Sequence, residues 1–298
     1  MKVFVTGGTG VVGTRAVPAL IAGGHEVTAV ARGPEKAEQV RAMGAVPVMV
    51  DLFDPTAVKA AVDGHEAVVH LATNIPPMWK AGLGSRAWAT NERLRREAAA
   101  HLADAALATG AARYVQESIC FPYLDQGDRW NAEDSPLDHV GAFAGAGVAE
   151  ATTARFSDGG GTGVVLRFAQ FHGPGSVHVQ TFNALLRRRI NPFVGPPDAY
   201  ASWIHADDAG AAVATALALP AGIYNVSDDE PLTRAEAGRA AAEALGVKPP
   251  RTLPGVLQAA MPASAKALTK SLRVSNAKLK AASDWRPAHP SIRGSWAS

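Results

Sequence analysis

The sequence predicts an α/β protein with a doubly wound parallel sheet, helices on both faces and a smaller, irregular C-terminal part. In the first half, short apolar runs alternate with helix-length segments. A glycine-rich turn follows the first apolar run, and after Gly173 loops rich in proline and glycine interrupt the alternation. Strands that are apolar throughout are typical of a parallel sheet covered on both faces. These observations together indicate a sheet of the Rossmann type.

The elements follow in order along the chain. Strands are predicted at residues 3–5, 27–30, 46–50, 67–71, 114–115 and 163–168. Helices are predicted at residues 11–22, 34–43, 56–62 and 92–108, with a helix-like segment at 142–156. We therefore expect a dinucleotide-binding domain over residues 1–172. Residues 173–298 would form most of a substrate-binding part, with some elements returning to the first domain.

Composition and charge exclude several classes of partner. The 298 residues are 47% apolar and carry a net charge of +2, so bulk charge suggests neither nucleic acid nor a membrane surface as a partner. The basic run at residues 187–189 is typical of a solvated helix end, with an anionic substrate as the alternative. Cys120 is the only cysteine, and the N-terminal residues lack a signal-peptide pattern, so we expect a cytoplasmic protein. The apolar run at 209–219 is shorter than the roughly 20 residues of a membrane span.

The turn after the first strand has the spacing of a phosphate-binding loop. Gly7, Gly10 and Gly13 lie three residues apart, between a strand and a helix. Such glycines permit a tight turn, close approach of the backbone to a pyrophosphate, and close packing of the helix on the sheet. The helix N-terminus adds free N–H groups and a partial positive charge. The residues predicted to bind the cofactor here are Gly7, Thr9, Gly10, Val11, Val12 and Gly13.

The end of the second strand favours NADP over NAD. Proteins selective for NAD usually place an acidic residue there to bind the ribose 2′-hydroxyl. This chain has Ala31, Arg32 and Gly33 instead. Arg32 is suited to a 2′-phosphate, and Arg15 in the first helix is a second candidate for it. We therefore predict NADP as the favoured cofactor and NAD as the alternative.

With Thr6 before the first glycine, the loop resembles the TGxxGxxG fingerprint of the atypical and extended short-chain dehydrogenase/reductases, the NAD-dependent epimerase/dehydratase family. The resemblance continues over nearly the whole chain, through the segments at residues 166–175, 204–208, 224–226 and 284–287. It implies further cofactor contacts, to adenine and beneath the cofactor, at Asp51, Leu52, Leu71, Ala72 and Thr73.

The catalytic pair of that family is missing. Family enzymes use a Ser or Thr after the fifth strand and Tyr-x-x-x-Lys on the next helix, where the lysine lowers the pKa of the phenol. No lysine occurs at residues 81–247, and none of the four tyrosines has a lysine four residues later. Alignment on Glu150 puts the pair at Ala142 and Ala146, and Ile119 falls on the Ser/Thr position.

A working enzyme would need a substitute proton donor, or would use solvent. The candidates predicted for catalysis are Ser118, Tyr123 and His172. Tyr123 offers a phenol, His172 an imidazole that ordinarily titrates near neutral pH, and Ser118 is the neighbour of Ile119. Residues weighed as weaker alternatives are Glu117, Cys120, His139 and His205.

Three functional hypotheses stay open at this point. The first is an NADP-linked reductase, epimerase or dehydratase acting on a small hydroxy or keto compound. The second is a redox sensor or regulatory protein that binds the cofactor without turnover. The third is a non-redox isomerase or cyclase with a structural cofactor. A small-molecule substrate, no metal ion and a homodimer, common among family members, complete the expectations.

Overall fold

The computed structural model describes residues 1–76, 85–251 and 269–296. The strands in chain order are β1 (Lys2–Thr6), β2 (Glu26–Val30), β3 (Val46–Val48), β4 (Ala67–His70), β5 (Arg113–Ile119), β6 (Trp130–Asn131), β7 (Thr162–Phe168), β8 (Gln170–His172), β9 (Tyr200–Ala201), β10 (Trp203–His205), β11 (Gly222–Val226), β12 (Leu232–Thr233) and β13 (Arg273–Val274). The α-helices are α1 (Gly13–Ala22), α2 (Pro34–Ala42), α3 (Pro55–Val62), α4 (Ser85–Arg93), α5 (Ala99–Thr109), α6 (Ala144–Asp158), α7 (Val177–Arg187), α8 (Ala206–Ala216), α9 (Arg234–Ala244) and α10 (Ala277–Ala282).

Seven parallel strands form the main sheet, which confirms the predicted fold class. Their order is β11–β7–β5–β4–β1–β2–β3. The chain moves outward from β1 to β3, then crosses back and continues from β4 to β11, so the direction reverses between β1 and β4. Ligands of doubly wound sheets bind beyond the carboxyl ends of the strands at such a reversal.

Alternation along β1 shows how both faces of the sheet are buried. Val3 and Val5 belong to one apolar cluster, which includes residues of α1, α2 and α8, whereas Phe4 belongs to a second cluster with residues of α3 and α5. All three side chains have no exposed surface. Because every residue of such a strand is covered, the sequence shows a continuous apolar run instead of alternation.

Two elements, one strand and one helix, differ from the sequence-based prediction. The predicted strand at 114–115 is the seven-residue β5, whose polar residues Gln116, Glu117 and Ser118 are buried and hydrogen-bonded to other side chains or to backbone groups. The predicted helix at 92–108 is instead α4, a π-helical turn at Leu94–Ala98, and α5. The strand was predicted too short because its polar residues after Val115 are typical of a loop in the sequence.

The second half contributes to the main sheet and also builds a small core of its own. β11 returns to the edge of the sheet beside β7, and α8 packs against the face that carries α1. Three further pairs of short strands form, β8 with β10, β9 with β12, and β6 with β13. An aromatic cluster including Phe182, Trp203 and Trp296 fills the separate core. The division at residue 172 stays a prediction.

None of the helices in the described ranges has the length and apolar character that crossing a bilayer requires.

Candidate cofactor and active site

The glycine-rich loop between β1 and α1 leaves room for backbone only. Gly7 has φ +75°, and a Cβ there would lie 2.5 Å from the carbonyl carbon of Leu71. A Cβ on Gly13 would lie 2.1 Å from the carbonyl oxygen of Gly7. The Gly10 N–H donates to that same oxygen over 3.0 Å, closing the turn. Glycine at positions 7 and 13 therefore lets the loop pack against the turn after β4 and against the start of α1. Binding of a pyrophosphate by this loop, called here the cradle, stays a prediction.

The residues predicted to bind the adenosine end lie beyond β2 and β3. Arg32 follows β2 by two residues and its side chain is exposed. Asp51 accepts a hydrogen bond from the Phe53 N–H at 2.9 Å, and Leu52 packs against the core cluster beneath it. The contact of Arg32 to a 2′-phosphate and the adenine contacts of Asp51 and Leu52 stay predictions.

Arg15 is engaged elsewhere. Its Nε donates to Asp207 at 3.0 Å and one terminal nitrogen donates to the Pro174 carbonyl at 2.8 Å. Both partners belong to the second half of the chain. This arrangement favours a link between α1 and the loop after β8, instead of the 2′-phosphate role predicted from the sequence.

The turn after β4 lies directly beside the cradle. The Leu71 N–H donates to the Thr6 carbonyl at 3.1 Å, and Ala72 and Thr73 continue along the same edge, half-buried. Beneath them the His70 Nε2 donates to the Leu94 carbonyl, and the Thr6 hydroxyl bonds to Nδ1 at 2.6 Å. Burial lowers the pKa of His70 to about 4, so its ring is neutral and holds the turn in place.

Ser118 and Tyr123, predicted as catalytic candidates, belong to one buried network. The Ser118 hydroxyl donates to Glu150 at 2.6 Å, and Arg167 pairs with both carboxylate oxygens of Glu150, at 2.9 and 2.7 Å. Arg167 also donates to the Tyr123 hydroxyl at 2.8 Å, and that hydroxyl donates to Asn225 Oδ1 at 2.7 Å. Ser118 and Tyr123 have no exposed surface, and burial raises the pKa of Tyr123 to about 12. This geometry favours a structural role for both, and their catalytic role stays a prediction.

His172, the third candidate, lies inside the aromatic core of the second half. Its ring stacks on Trp296, with centroids 6.2 Å apart and planes 8° apart, and it has no exposed surface. Burial, together with the neighbouring histidines, lowers its pKa to about 3. Burial therefore disfavours the neutral-pH titration that an imidazole ordinarily shows, because a cation there would lose its hydration without gaining a counter-charge. The catalytic role of His172 stays a prediction.

The four weaker candidates for catalysis also make contacts that are typical of structural residues. Glu117 accepts from the buried Arg95 at 2.8 and 3.0 Å. Burial raises the pKa of the Cys120 thiol to about 12, which disfavours a thiolate. The His139 ring packs over Gly147, where a Cβ would lie 2.9 Å from it. The His205 Nδ1 accepts from the Asp207 N–H at the start of α8.

The start of α6, where the family's Tyr and Lys would lie, is closely packed. A Cβ on Gly145 would lie 2.9 Å from Glu92 Oε1 and 3.1 Å from the Cβ of Arg95, and the Gly145 N–H donates to Glu92 at 3.2 Å. Ala146 has no exposed surface. The small residues therefore let α6 lie against α4 and the π-helical turn, which uses part of the space that a phenol and a lysine side chain would fill.

The sequence analysis did not identify one pair of aromatic residues near the carboxyl end of β5. Phe121, two residues past β5, stacks on Phe143, which immediately precedes α6. Their ring centroids are 6.0 Å apart with planes 16° apart, and both side chains are half-buried. A residue just beyond the carboxyl end of a central strand is a signal of a binding site, and Phe121 meets that description.

Among the described residues, His205, Asp208 and His289 bring three potential metal-ligand atoms within 4.8 Å of one another. The Asp208 carboxylate, however, accepts from the N–H groups of Ala288 and His289 and bonds to the His289 ring. The two imidazole rings stack with their centroids 3.8 Å apart. These hydrogen bonds tie the C-terminal segment to α8.

Comparison with known proteins agrees with this site. Residues 7–143 match the model of an NAD(P)H-binding family. The chain is 35% identical to a 3-diazoavenalumate denitrifying reductase from a Streptomyces species, over 98% of both chains. It is also similar to a Thermus thermophilus UDP-glucose 4-epimerase in complex with NAD, at 25% identity and TM-score 0.77, over 99% of this chain and 97% of that one. A human epimerase family protein with NADPH shares the fold, at 23% identity and TM-score 0.78, over 99% and 98% of the chains.

Proposed function

Because this chain belongs to the extended short-chain dehydrogenase/reductase family, also called the NAD-dependent epimerase/dehydratase family, we propose that it is an NADPH-dependent reductase of a small molecule. The observation that carries this proposal is the 35% identity, over 98% of the chain, to a relative named as a reductase. The glycine loop between β1 and α1 supports it, because this loop lies in the segment that matches the NAD(P)H-binding family.

The mechanism follows from what the residues at the carboxyl edge offer. The cofactor supplies a hydride when it is bound. The loop from Gly7 to Gly13 and the start of α1 would hold the pyrophosphate, and the turn from Leu71 to Thr73 would support the nicotinamide half. At the family's catalytic positions the chain has Ile119, Ala142 and Ala146, and none of these side chains can donate a proton. We infer that the side chains orient the substrate and exclude water, and that none of them protonates it.

A reduction without a proton donor suits a cationic electrophile. When a ketone accepts hydride, an alkoxide forms and must be protonated, which is the task of the missing tyrosine. The relative's name describes reduction of a diazo compound with loss of nitrogen. We propose the same reaction class here. Hydride forms a new C–H bond with its electron pair, the C–N bond breaks with its pair leaving on N₂, and an arenediazonium becomes an arene. The nicotinamide is oxidised and no proton is consumed.

NADPH is proposed over NADH on the basis of Arg32. Its guanidinium is exposed just past the end of β2, where a 2′-phosphate would lie, and residues 31–33 contain no acid that would bind a free 2′-hydroxyl. A charge-assisted, bidentate bond from arginine to phosphate is the interaction this position allows.

The test follows nicotinamide absorbance with the purified protein, NADPH and a panel of acceptors. The panel contains an arenediazonium salt, a diazoketone, and ordinary ketones and aldehydes of similar size. We expect NADPH oxidation with the diazonium salt, release of N₂, and transfer of deuterium from C4-deuterated NADPH to the arene carbon. Reactions without protein and with NADPH alone correct for spontaneous reduction.

Other outcomes separate the alternatives. Turnover of ordinary ketones as fast as the diazonium salt would contradict the proposed substrate class. Unequal affinity for NADPH and NADP⁺ with no turnover of any acceptor would favour the redox sensor. Conversion of a substrate with no change in the cofactor's redox state would favour the non-redox isomerase.

A further inference from the structure

The stacked rings of Phe121 and Phe143, called here the Phe pair, lie where the reacting end of the cofactor is expected. The predicted pyrophosphate loop follows β1, and β2 and β3, where the adenosine end is predicted, lie to one side of it in the sheet. The other half of a dinucleotide therefore extends across β4 and β5. Phe121 lies just beyond β5, and Phe143 lies at the start of α6, whose Glu150 bonds to Ser118 of β5.

The backbone around Phe121 is held firmly. The Cys120 N–H donates to the Phe168 carbonyl at 3.0 Å. On the other side, the Lys270 ammonium donates to the carbonyls of Phe121 and Tyr123, at 3.3 and 3.1 Å. The second half of the chain thus fixes the loop that carries the Phe121 ring. A ring held in this way offers a pre-organised surface, which lowers the entropic cost of binding a flat ligand.

We propose that the substrate is a planar aromatic compound whose ring lies against the Phe pair, which directs its electrophilic substituent to the nicotinamide. This inference rests on the proposed reductase function and names the substrate class of that site. An aromatic ring of the substrate can stack in the same offset, parallel manner on one of these two rings. The negative faces of the rings also attract a cation such as a diazonium ion. A saturated, hydroxyl-rich substrate would gain neither interaction and would need paired polar groups in place of the rings.

The first experiment measures binding and requires no turnover. Calorimetry with the NADP⁺-loaded protein compares 2-naphthol with decahydro-2-naphthol, which have the same carbon skeleton and hydroxyl group but differ in planarity. We expect 2-naphthol to bind roughly tenfold more tightly, since an aromatic pair adds up to about 1.5 kcal/mol beyond area burial. Equal affinity of the two compounds would overturn the inference.

The second experiment uses Phe121→Leu and Phe143→Leu with the arenediazonium salt. Each variant is expected to raise KM for the salt several-fold and to weaken 2-naphthol binding, while the Kd for NADPH is unchanged. Trp130→Leu is the matched control, because this aromatic residue is 45% exposed on β6 and lies over the Arg273 guanidinium. If Phe121→Leu fails to fold, Phe143→Leu and the wild-type calorimetry still decide the question.

Failure of the two proposals is distinguishable. If no acceptor is reduced but 2-naphthol binds preferentially and the Phe pair variants weaken it, the reductase proposal fails and the aromatic site stands. If a diazoketone and the arenediazonium are reduced with equal KM in wild type and in both variants, the reductase proposal stands and the aromatic site is wrong.

Discussion

At the scale of single residues, burial separates the side chains that hold the structure from those that face a ligand. Tyr123, a catalytic candidate in the sequence, is completely buried between Arg167 and Asn225. Arg32 is exposed at the edge where the adenosine end is expected. Substitution of Arg32 is therefore expected to affect cofactor binding, whereas substitution of Tyr123 is expected to affect stability.

Replacing Arg32 by alanine should raise KM for NADPH about tenfold or more, since a hydrogen bond to a charged group contributes about 1.5–3 kcal/mol. KM for NADH should change little, because NADH has no 2′-phosphate. Initial rates with each cofactor measure the effect. Arg41→Ala, an exposed arginine of α2 paired with Glu38, is the control. Equal changes for the two cofactors would contradict an NADP site at Arg32.

Tyr123→Phe should lower the free energy of unfolding by about 1–3 kcal/mol, because loss of the hydroxyl leaves the buried Asn225 Oδ1 without this donor. The kcat of the folded variant should match that of the wild type. Urea denaturation and initial rates check these two results. Tyr224→Phe, which removes a hydroxyl bonded to the Pro220 carbonyl at 3.0 Å, is the matched control. A large loss of kcat without a loss of stability would restore Tyr123 as a proton donor.

At the scale of elements, glycine determines how closely two segments approach. Gly13 begins α1 against the first turn of the loop, and Gly145 lets α6 lie against Glu92. The first contact shapes the loop that is predicted to hold the pyrophosphate, and the second uses part of the space beside the positions of the missing Tyr-Lys pair. Both are effects of the backbone, so adding a single methyl group tests them.

Gly13→Ala should abolish measurable NADPH binding, because its Cβ would lie 2.1 Å from the Gly7 carbonyl oxygen and the loop would have to move. Gly23→Ala is the control at the other end of the same helix, where the nearest atom to a Cβ is 3.3 Å away. NADPH fluorescence titration and circular dichroism distinguish loss of binding from loss of fold. Normal binding by Gly13→Ala would show that the cradle is not the pyrophosphate site.

At the scale of the whole molecule, the second half contacts the loop after β5 through Lys270 and has an apolar core of its own. His172 lies in that core, and His70 lies beneath the turn after β4. Both side chains are buried, so water cannot hydrate a protonated ring. Burial lowers the pKa of His70 to about 4 and that of His172 to about 3. The stability of the fold therefore depends on both rings staying neutral.

This dependence predicts a loss of stability in mild acid. The folded pKa values lie below the ordinary 6.5, so the unfolded chain binds more protons between about pH 3 and 6.5. Stability is complete above pH 6.5 and falls as pH decreases, by on the order of 2 kcal/mol per histidine at pH 5. His172→Phe, which keeps an aromatic ring against Trp296, should reduce this difference between pH 7 and pH 5 in thermal melts.

The same variant tests catalysis at neutral pH. If His172 is structural, His172→Phe keeps kcat near the wild-type value at pH 7. An unchanged acid sensitivity of the variant would contradict the assignment of this pKa to His172, and a loss of kcat with an intact fold would favour the catalytic role predicted from the sequence.

The sequence by itself determined the parallel α/β fold, the glycine cradle and the absence of a Tyr-x-x-x-Lys pair. Each depends on neighbouring residues or on a simple count, such as the lack of lysine over residues 81–247. Only the tertiary structure decided the surroundings of Ser118, Tyr123 and His172, and brought Phe121 against Phe143. Ser118 meets Glu150 across 32 positions and Tyr123 meets Asn225 across 102. Burial and pairing arise from contacts between distant segments, and a local pattern carries no information about those contacts.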